Sequence, residues 1–228
     1  MAGTIGTKAA HRGGLLVKLG IPIYEGVDLL DVTGPLEMFY WASQDKNALE
    51  TVLISEDGKS VTSLNGVTFQ AQKSFADVPS LDILWVPGGD PPALERIMHD
   101  AHSPHLEYLR KVAENATWVC SVCEGALLLG RAGLLKGHQA TTHWAFVDCL
   151  KRFEGVTPDT SNPRFVLSGN RLTGGGISAG LDESLKLIAL LFGEEVAKGV
   201  QVTTQYFPNP PVMGVIPDTP ACFVHWPQ

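Results

Sequence analysis

The sequence predicts an α/β fold in which a mostly parallel β-sheet carries helices on both faces. Short apolar segments of strand length alternate with longer segments of helical length along the 228 residues. We find no internal repeat and no linker that would divide the chain. We therefore expect a flexible N-terminal extension over residues 1–16, followed by one domain over residues 17–228 that ends in a Pro-rich tail.

The first half of the chain begins with a strand at "VKLGIPIY", from Val17 to Tyr24. Thr33 is a suitable N-cap for a helix that runs to about Ser43, and Pro35 is tolerated in its first turn, where no amide donor is lost. The pattern then predicts a strand from residue 51, a hairpin turning at Asn65-Gly66 and a buried strand that leads into Gly88-Gly89.

The second half continues the alternation, with Ser103 as the cap of one helix. The predicted elements are helices over residues 93–100 and 104–115, a strand over 116–123, a helix over 124–135, a strand over 139–143, a helix over 144–153, a hairpin turning at Gly169-Asn170, and helices over 177–193 and 194–206.

Composition excludes several classes of protein. The net charge is −7 and lysine and arginine form no cluster, which argues against nucleic acid as a partner. The apolar run over residues 187–192 is too short to span a membrane, and the N-terminus lacks the features of a secretory signal. Four scattered cysteines do not suggest a disulfide framework, so we expect a cytoplasmic protein with reduced thiols.

The stretch "WVCSVCEGALLLGRAGLL" places Cys123 where a strand joins a helix. A helix N-terminus favours the thiolate, which is the nucleophilic form of cysteine, and Gly125 leaves room at the turn. A buried structural cysteine is the commoner fate of this residue type. A CxxC redox or zinc site is the weaker alternative, because Cys120 lies inside the strand and no second ligand pair is suitably spaced.

Other candidate groups also follow strand ends, where active sites of such sheets gather. Asp31 follows the first strand and would carry a proton if it lies near the thiol. Glu124 is a second candidate carboxylate or a helix-start acid, and His143 either orients the thiol or only packs. The glycines of "TGGGISAG", from Thr173, are interpreted as close packing at a tight turn and not as a dinucleotide site.

Three motifs together resemble the ThiJ/PfpI superfamily: the strand followed by "PGG", "SVCEGALLLGRAGLLKGHQATTHW" and "LTGGGISAGLD". The resemblance covers roughly Val17 to Asp218 and implies the flavodoxin-like, doubly wound fold of the class I glutamine amidotransferases. It implies that Cys123 is the nucleophile and Asp31 the neighbouring acid. It also implies an oxyanion-type pocket formed by Gly88, Gly89 and the amides that follow the cysteine up to Gly125.

Within that superfamily, "LDVTGP", "ATTHWAF" and "PDTP" are similar to isocyanide hydratases and to the amidase-like domains of AraC-type regulators. The chain has no room for a helix-turn-helix region before Gln228, so the hydratases are preferred. The resemblance implies that the Cys123 thiolate attacks an isocyanide carbon to form a thioimidate, which water converts to an N-formamide. No metal or organic cofactor is expected, and the expected partners are a small-molecule substrate and a second copy in a homodimer.

One position departs from the hydratase pattern, since Glu124 stands where those enzymes carry threonine. Two other functions therefore stay open: a cofactor-independent glyoxalase or deglycase acting on 2-oxoaldehydes, and a non-catalytic protein. The latter is either a redox sensor, whose Cys123 oxidises to a sulfinic acid beside Asp31, or a ligand-binding module. Exposed apolar surface in the tail, with Phe207, Phe223 and Trp226, is expected to support the dimer.

Overall fold

The computed structural model describes residues 16–44 and 49–227, so residues 1–15 of the predicted N-terminal extension lie outside it. The strands are Val17–Pro22 (β1), Leu49–Ser55 (β2), Val61–Thr62 (β3), Thr68–Phe69 (β4), Lys73–Ser74 (β5), Ile83–Val86 (β6), Trp118–Ser121 (β7), Gln139–Ala140 (β8), Thr157–Pro158 (β9), Phe165–Ser168 (β10) and Arg171–Gly174 (β11). The α-helices are Leu29–Ser43 (α1), Pro91–His99 (α2), Pro104–Ala113 (α3), Gly125–Arg131 (α4), Val147–Leu150 (α5), Ala179–Phe192 (α6) and Glu194–Thr203 (α7). None of the helices within the described ranges is long and apolar enough to cross a membrane.

The central sheet has seven strands in the order β10-β11-β7-β6-β1-β2-β5. β10 runs antiparallel to β11, and the other pairs are parallel. β1 lies between β2 and β6, so the chain winds outwards from β1 in both directions. The predicted α/β fold, with a doubly wound and mostly parallel sheet, is confirmed. The carboxyl ends of β1 and β6 form the crevice where ligands bind in such sheets.

Two groups of helices surround the sheet. α1, α6 and α7 pack against one another, and α2, α3 and α4 form a second group. All four residues of β6 are buried because both faces of this strand are covered. This double coverage explains why the strand appears in the sequence as an unbroken apolar run and not as an alternating pattern.

Both predicted hairpins are confirmed. β3 and β4 pair antiparallel around Asn65-Gly66, and β10 and β11 around Gly169-Asn170. Gly66 and Gly169 adopt φ values of +85° and +62°, which glycine accepts without a steric penalty. β5 and β9 were not predicted, since two residues are too few to show a period.

The predicted start of α1 at Thr33 is wrong. The helix begins at Leu29, and the Asp28 carboxylate caps it by accepting a hydrogen bond from the amide of Leu30 at 3.0 Å. The Thr33 hydroxyl instead donates to the carbonyl of Leu29 at 2.9 Å. Asp31 therefore lies in the first turn of a helix and not in a loop.

Pro35 is tolerated inside α1 because of a contact from the sheet. Proline has no amide hydrogen, so Pro35 leaves the carbonyl of Asp31 without its helical donor. The indole Nε1 of Trp85, in β6, donates to that carbonyl oxygen at 3.2 Å. This buried hydrogen bond ties the first turn of α1 to the strand beside it.

The expectation that all thiols are reduced is wrong for two of the four cysteines. Cys149 in α5 and Cys222 in the tail form a disulfide with Cα atoms 4.8 Å apart. The two residues are 73 positions apart in sequence, so the pairing depends on the tail folding back over the domain. Cys120 and Cys123 are free and buried.

The C-terminal tail has two parts. Residues 208–221, here called the strap, are exposed and form no hydrogen bond with other described residues. Residues 222–226, here called the anchor, pack on the domain: Val224 is fully buried, and Trp226 stacks on Phe153 with ring centroids 5.2 Å apart. Trp226 is thus part of the core and not the exposed surface that was expected.

The disulfide generates a first prediction. Denatured protein that has not been reduced should show two reactive thiols per chain, and four after reduction. Cys222→Ser should lower the free energy of unfolding by about 2–4 kcal/mol, because the cross-link restricts the unfolded chain. Chemical denaturation with and without a reductant checks this: the reductant should lower the stability of the wild type to that of the variant and leave the variant unchanged. Four reactive thiols before reduction would contradict the assignment.

Candidate active site

Three chemical groups meet at the carboxyl edge of β1, β6 and β7. Each pair among the Sγ atom of Cys123 and a carboxyl oxygen of Asp31 and of Glu124 lies within 4.8 Å. All three residues are buried. The structure therefore brings the two carboxyl groups that were expected near the thiol into one cluster, here called the carboxyl–thiol cluster.

The backbone at Cys123 is left-handed, with φ of 55°, which is unusual for a residue with a side chain. Two hydrogen bonds from neighbouring loops hold this conformation. The amide of Cys123 donates to the carbonyl of Gly175 at 2.9 Å, and the Thr142 hydroxyl donates to the carbonyl of Cys123 at 2.7 Å. Non-glycine residues persist in this region only where the surrounding structure enforces it, and such sites are often functional.

Glycines are required beside Cys123 for steric reasons. A Cβ atom on Gly125 would lie 2.0 Å from the carbonyl oxygen of Val86. A Cβ atom on Gly88 would lie 2.8 Å from the Cβ atom of Cys123 and 2.5 Å from Oε2 of Glu124. The turn that presents the thiol therefore sits directly against the end of β6, as expected from the room that Gly125 provides.

The amides expected to form an oxyanion pocket are already engaged. Gly88 donates to Oδ2 of Asp31 at 2.8 Å, Gly89 donates to the Glu124 carboxyl, and Gly125 donates to the carbonyl of Val122 at 3.0 Å. The oxyanion-type pocket stays a prediction, and these three amides have other acceptors in this structure. Gly88 and Gly89 use their amides to position the two carboxyl groups of the cluster.

The expectation of a thiolate at Cys123 is also corrected. Burial raises the pKa of the Cys123 thiol well above its usual value, and the nearby Asp31 and Glu124 carboxyls raise it further. A hydrogen bond from the backbone amide of Ile177 opposes this shift. Since α4 is short and the carboxyls lie close, the helix terminus does not decide the charge of the thiol. These surroundings favour the neutral thiol.

The two carboxyls have different environments. Burial, then the charges of Asp28 and Glu124, raise the pKa of Asp31 well above its usual value, against the opposing hydrogen bond from Gly88. Burial raises the pKa of Glu124 to about 7, and a hydrogen bond from the Cys123 thiol limits the shift. The surroundings of Asp31 therefore favour its protonated form, whereas Glu124 can exchange a proton near neutral pH.

A third buried carboxyl, Glu183 in α6, was missed by the sequence analysis. Burial and the Asp31 carboxyl raise its pKa well above the usual value. Its oxygen Oε2 would lie 2.3 Å from a Cβ atom on Gly174. In an amphipathic helix a lone glutamate normally faces solvent, so nothing in the sequence marked it as buried.

His143 does not join the carboxyl–thiol cluster. Its half-buried ring lies against the backbone of Gly176, where an added Cβ atom would be 2.3 Å from Cδ2, and its Nδ1 accepts from the amide of Ala145 at 3.3 Å. Burial lowers the pKa of the imidazole. The contact with the nucleophile turn comes instead from its neighbour Thr142. The close packing expected for "TGGGISAG" is confirmed by this fit.

A cavity of about 280 Å³ lies among the loops that hold the Cys123 turn. Residues 142–144, 162–164 and 175–178 line it, together with Ile216 from the strap. Ile177 belongs both to this lining and to the surroundings of the thiol, because its amide donates to Cys123. Thr142, Gly175 and Ile177, which hydrogen-bond to Cys123, therefore connect this cavity to the nucleophile candidate. The cavity has the volume for a small organic molecule.

The carboxyl–thiol cluster offers one sulfur and two oxygen ligands that a metal ion could use. All three groups have raised pKa values, so an ion would have to displace their protons on binding. The absence of a metal stays a prediction.

Cys120 lies fully buried in β7, as expected for a cysteine that packs within the sheet.

Comparison with known proteins decides the family. The sequence model of the DJ-1/PfpI family matches residues 17–190. The chain belongs to the DJ-1/PfpI family. The resemblance to the ThiJ/PfpI superfamily that the motifs carried is thereby confirmed.

Among curated DJ-1/PfpI relatives, an isonitrile hydratase of Pseudomonas putida is 38% identical over 205 residues, which are 90% of this chain and 85% of that protein. The HTH-type transcriptional regulator CdhR of Pseudomonas aeruginosa is 32% identical over 157 residues, which are 68% of this chain and 44% of the regulator. A crystal structure of a ThiJ/PfpI family protein from Pseudomonas syringae has a TM-score of 0.79 and 30% identity, and the match covers 93% of this chain and 84% of that one. The family thus includes both enzymes and regulators.

The close approach at Gly125 generates a second prediction. Gly125→Ala should lower the free energy of unfolding by at least about 2 kcal/mol and displace Cys123, because the new Cβ atom meets backbone that cannot move aside. Gly199→Ala is the matched control: its Cβ atom meets nothing within 4 Å, and it should stabilise α7 by about 0.5–1 kcal/mol. Urea unfolding of both variants is the measurement. Equal stability of the two would contradict the packing described here.

Proposed function

We propose that this protein is an isocyanide (isonitrile) hydratase that uses Cys123 as its nucleophile. The observation that carries the proposal is the carboxyl–thiol cluster, in which the Cys123 thiol, the Asp31 carboxyl with its raised pKa and the Glu124 carboxyl, whose pKa is about 7, lie within 4.8 Å of one another. The identity to the Pseudomonas putida hydratase over most of both chains supports it. Addition to an isocyanide requires a nucleophile and a proton donor, and this cluster contains both.

The first step forms a covalent intermediate. The Glu124 carboxylate accepts the proton of the Cys123 thiol, with which it already shares a hydrogen bond. The thiolate sulfur then forms a bond to the terminal carbon of the isocyanide, and Asp31 donates its proton to that same carbon. The product is a thioimidate, in which the former isocyanide carbon carries one hydrogen and is joined to sulfur. Glu124, with a pKa of about 7, is assigned as the base, and Asp31, whose pKa is raised well above its usual value, as the acid.

The second step releases the product. Water adds to the thioimidate carbon and gives up a proton to the Asp31 carboxylate. Protonated Glu124 returns its proton to the nitrogen, which leaves a carbon joined to sulfur, nitrogen and a hydroxyl group. The carbon–sulfur bond then breaks, the hydroxyl proton passes to the sulfur, and the N-formamide leaves while the thiol and both carboxyls are restored. The carbon that reacts first in this sequence carries no oxygen. A free oxyanion pocket is therefore not needed for the addition step, in agreement with the engaged amides of Gly88 and Gly89.

The partner proposed from the cavity is a small-molecule isocyanide. Trp144, Ile177 and Ile216 line the cavity with apolar surface that suits an organic N-substituent. The steps above use only side chains of this chain and water, which supports the expectation of no cofactor. Cytoplasmic location and the absence of nucleic-acid partners stay predictions.

A glyoxalase or deglycase is the second candidate, and Glu124 is the observation that favours it. A carboxyl with a pKa of about 7 beside the thiol suits a residue that moves protons during isomerisation of a 2-oxoaldehyde adduct. The two enzymes differ in product, since methylglyoxal would yield lactate and an isocyanide would yield an N-formamide.

The non-catalytic alternatives receive less support. Oxidation to a sulfinic acid proceeds through the thiolate, and Cys123 is buried with a raised pKa. A ligand-binding module is supported by the match to the CdhR regulator, which covers 44% of that protein. Such a module would bind an isocyanide without turning it over.

We infer a homodimer from the exposed apolar side chains of the tail. Phe207 is 60% exposed and Val212, Met213 and Val215 are 76–93% exposed, a concentration of apolar surface that soluble monomers seldom leave uncovered. Sedimentation velocity of the purified protein tests the inference, and a monomer at micromolar concentration would reject it.

The third prediction concerns the nucleophile and the acid. Cys123→Ala should reduce formamide production from cyclohexyl isocyanide to the background of the buffer, and Asp31→Asn should lower kcat by about 10²–10⁴-fold, because general acid catalysis contributes that much. Cys120→Ala is the control, since it removes the other free thiol and keeps the cluster. Methylglyoxal is assayed in parallel. Lactate without formamide would move the assignment to the glyoxalase, and turnover retained in Cys123→Ala would reject both.

The fourth prediction is a pH profile. Glu124 acts as a base, so kcat/KM for the isocyanide should rise as pH increases through about 7, where its carboxyl loses a proton. Asp31 acts as an acid with a raised pKa, so the rate should fall again at higher pH once it ionises. Glu124→Gln should remove the rise on the acidic side and lower the maximum. An unchanged profile in that variant would show that Glu124 is not the base.

A further inference from the structure

The strap contributes one side chain to the lining of the cavity. Ile216, near the middle of the strap, lines this cavity together with Trp144 and Ile177. The described structure shows no hydrogen bond between residues 208–221 and the rest of the domain. The position of Ile216 is therefore set by the two ends of the strap.

The C-terminal end of the strap is held firmly. The Cys149–Cys222 disulfide joins the anchor to α5, and the amide of Cys222 donates to Oδ2 of Asp148 at 3.1 Å. Arg152 donates to the carbonyl of Val224 at 3.1 Å. Only six positions separate Ile216 from the covalent tie at Cys222, so this tie limits how far Ile216 can move from the cavity.

The anchor also contacts the cavity wall through aromatic rings. Phe223 packs on Phe146 with centroids 4.9 Å apart, and Phe146 packs on His143 with centroids 5.8 Å apart. His143 is itself part of the cavity lining. The disulfide therefore supports the cavity in two ways, through the strap that carries Ile216 and through the stack that ends at His143.

We propose that Ile216 is a specificity-determining residue that limits the size of the N-substituent, and that the Cys149–Cys222 disulfide holds it in place. This rests on the proposed isocyanide substrate. Reduction by a dithiol breaks the sulfur–sulfur bond: the dithiol supplies two electrons and two protons, closes to its own disulfide, and leaves Cys149 and Cys222 as thiols. The strap is then released from its covalent tie, and the cavity accepts larger isocyanides.

The first test of the proposal compares a small and a large substrate. The ratio of kcat/KM for 2-naphthyl isocyanide to that for methyl isocyanide should rise about tenfold in Ile216→Ala, as expected when apolar bulk is removed from a pocket wall. Val215→Ala is the matched control, because its side chain is 93% exposed and does not line the cavity. An unchanged ratio in Ile216→Ala would overturn the proposal.

The second test addresses the disulfide. Cys222→Ser without reductant should show the same rise in the ratio, and dithiothreitol should shift the wild type to that ratio while leaving Cys222→Ser unchanged. If Ile216→Ala changes the ratio but reduction and Cys222→Ser do not, the anchor holds the strap without its covalent bond, and the redox part of the proposal is rejected.

A third measurement separates this proposal from the proposed function. Alkylation of Cys123 by iodoacetamide and by the bulky N-pyrenylmaleimide is followed by mass spectrometry of the peptide. The rate of alkylation by N-pyrenylmaleimide should gain relative to the rate by iodoacetamide, both in Ile216→Ala and after reduction of the wild type. Such a gain in a protein that produces no formamide would reject the hydratase and keep Ile216 as the cavity wall. An equal ratio of the two alkylation rates in all variants would reject Ile216 as the cavity wall.

Discussion

The left-handed backbone at Cys123 is the constraint on which the rest of the site depends. A side-chain-bearing residue with φ of 55° is unfavourable by about 1–3 kcal/mol, so the surroundings must enforce it. The loop after β11 accepts the amide of Cys123, the loop after β8 donates to its carbonyl, and Gly125 lets the turn press against the end of β6. Each contact comes from a different segment of the chain. The sheet order, which brings those segments together, thus serves to hold one dihedral angle.

Enclosing this turn has an electrostatic consequence. Burial that keeps water away from the thiol also removes the solvation that a thiolate and two carboxylates would need. The three groups lie close enough for each to influence the pKa of the others. Gly88 and Gly89 direct their amides at the two carboxyls and oppose the effect of burial on both pKa values. Reactivity in such a site arises when a substrate arrives and protons are redistributed, and not from a charge present beforehand.

Local patterns were sufficient to predict most of the fold. Apolar runs, the cap at Ser103 and the hairpin turns all follow from neighbouring residues, and the placement of Asp31 and Cys123 at one sheet edge follows from strand order. The failures depend on distant partners. Pro35 is tolerated within α1 because the Trp85 indole donates to the carbonyl of Asp31, fifty-four positions away from it in sequence. The disulfide, the burial of Glu183 and the raised pKa of Cys123 likewise arise only once the chain is folded.

The relation between strap and anchor has a consequence for limited proteolysis. In a single chain the strap is exposed and free of hydrogen bonds to other described residues, so a protease can reach its backbone in the monomer more easily than that of the packed elements. A peptide bond cut there would separate the chain into two pieces, yet Cys222 would remain joined to Cys149. The smaller piece would still bury Val224 and Trp226 in the domain. A nicked molecule would therefore migrate as one band in gels without reductant and keep its anchor packed on the domain.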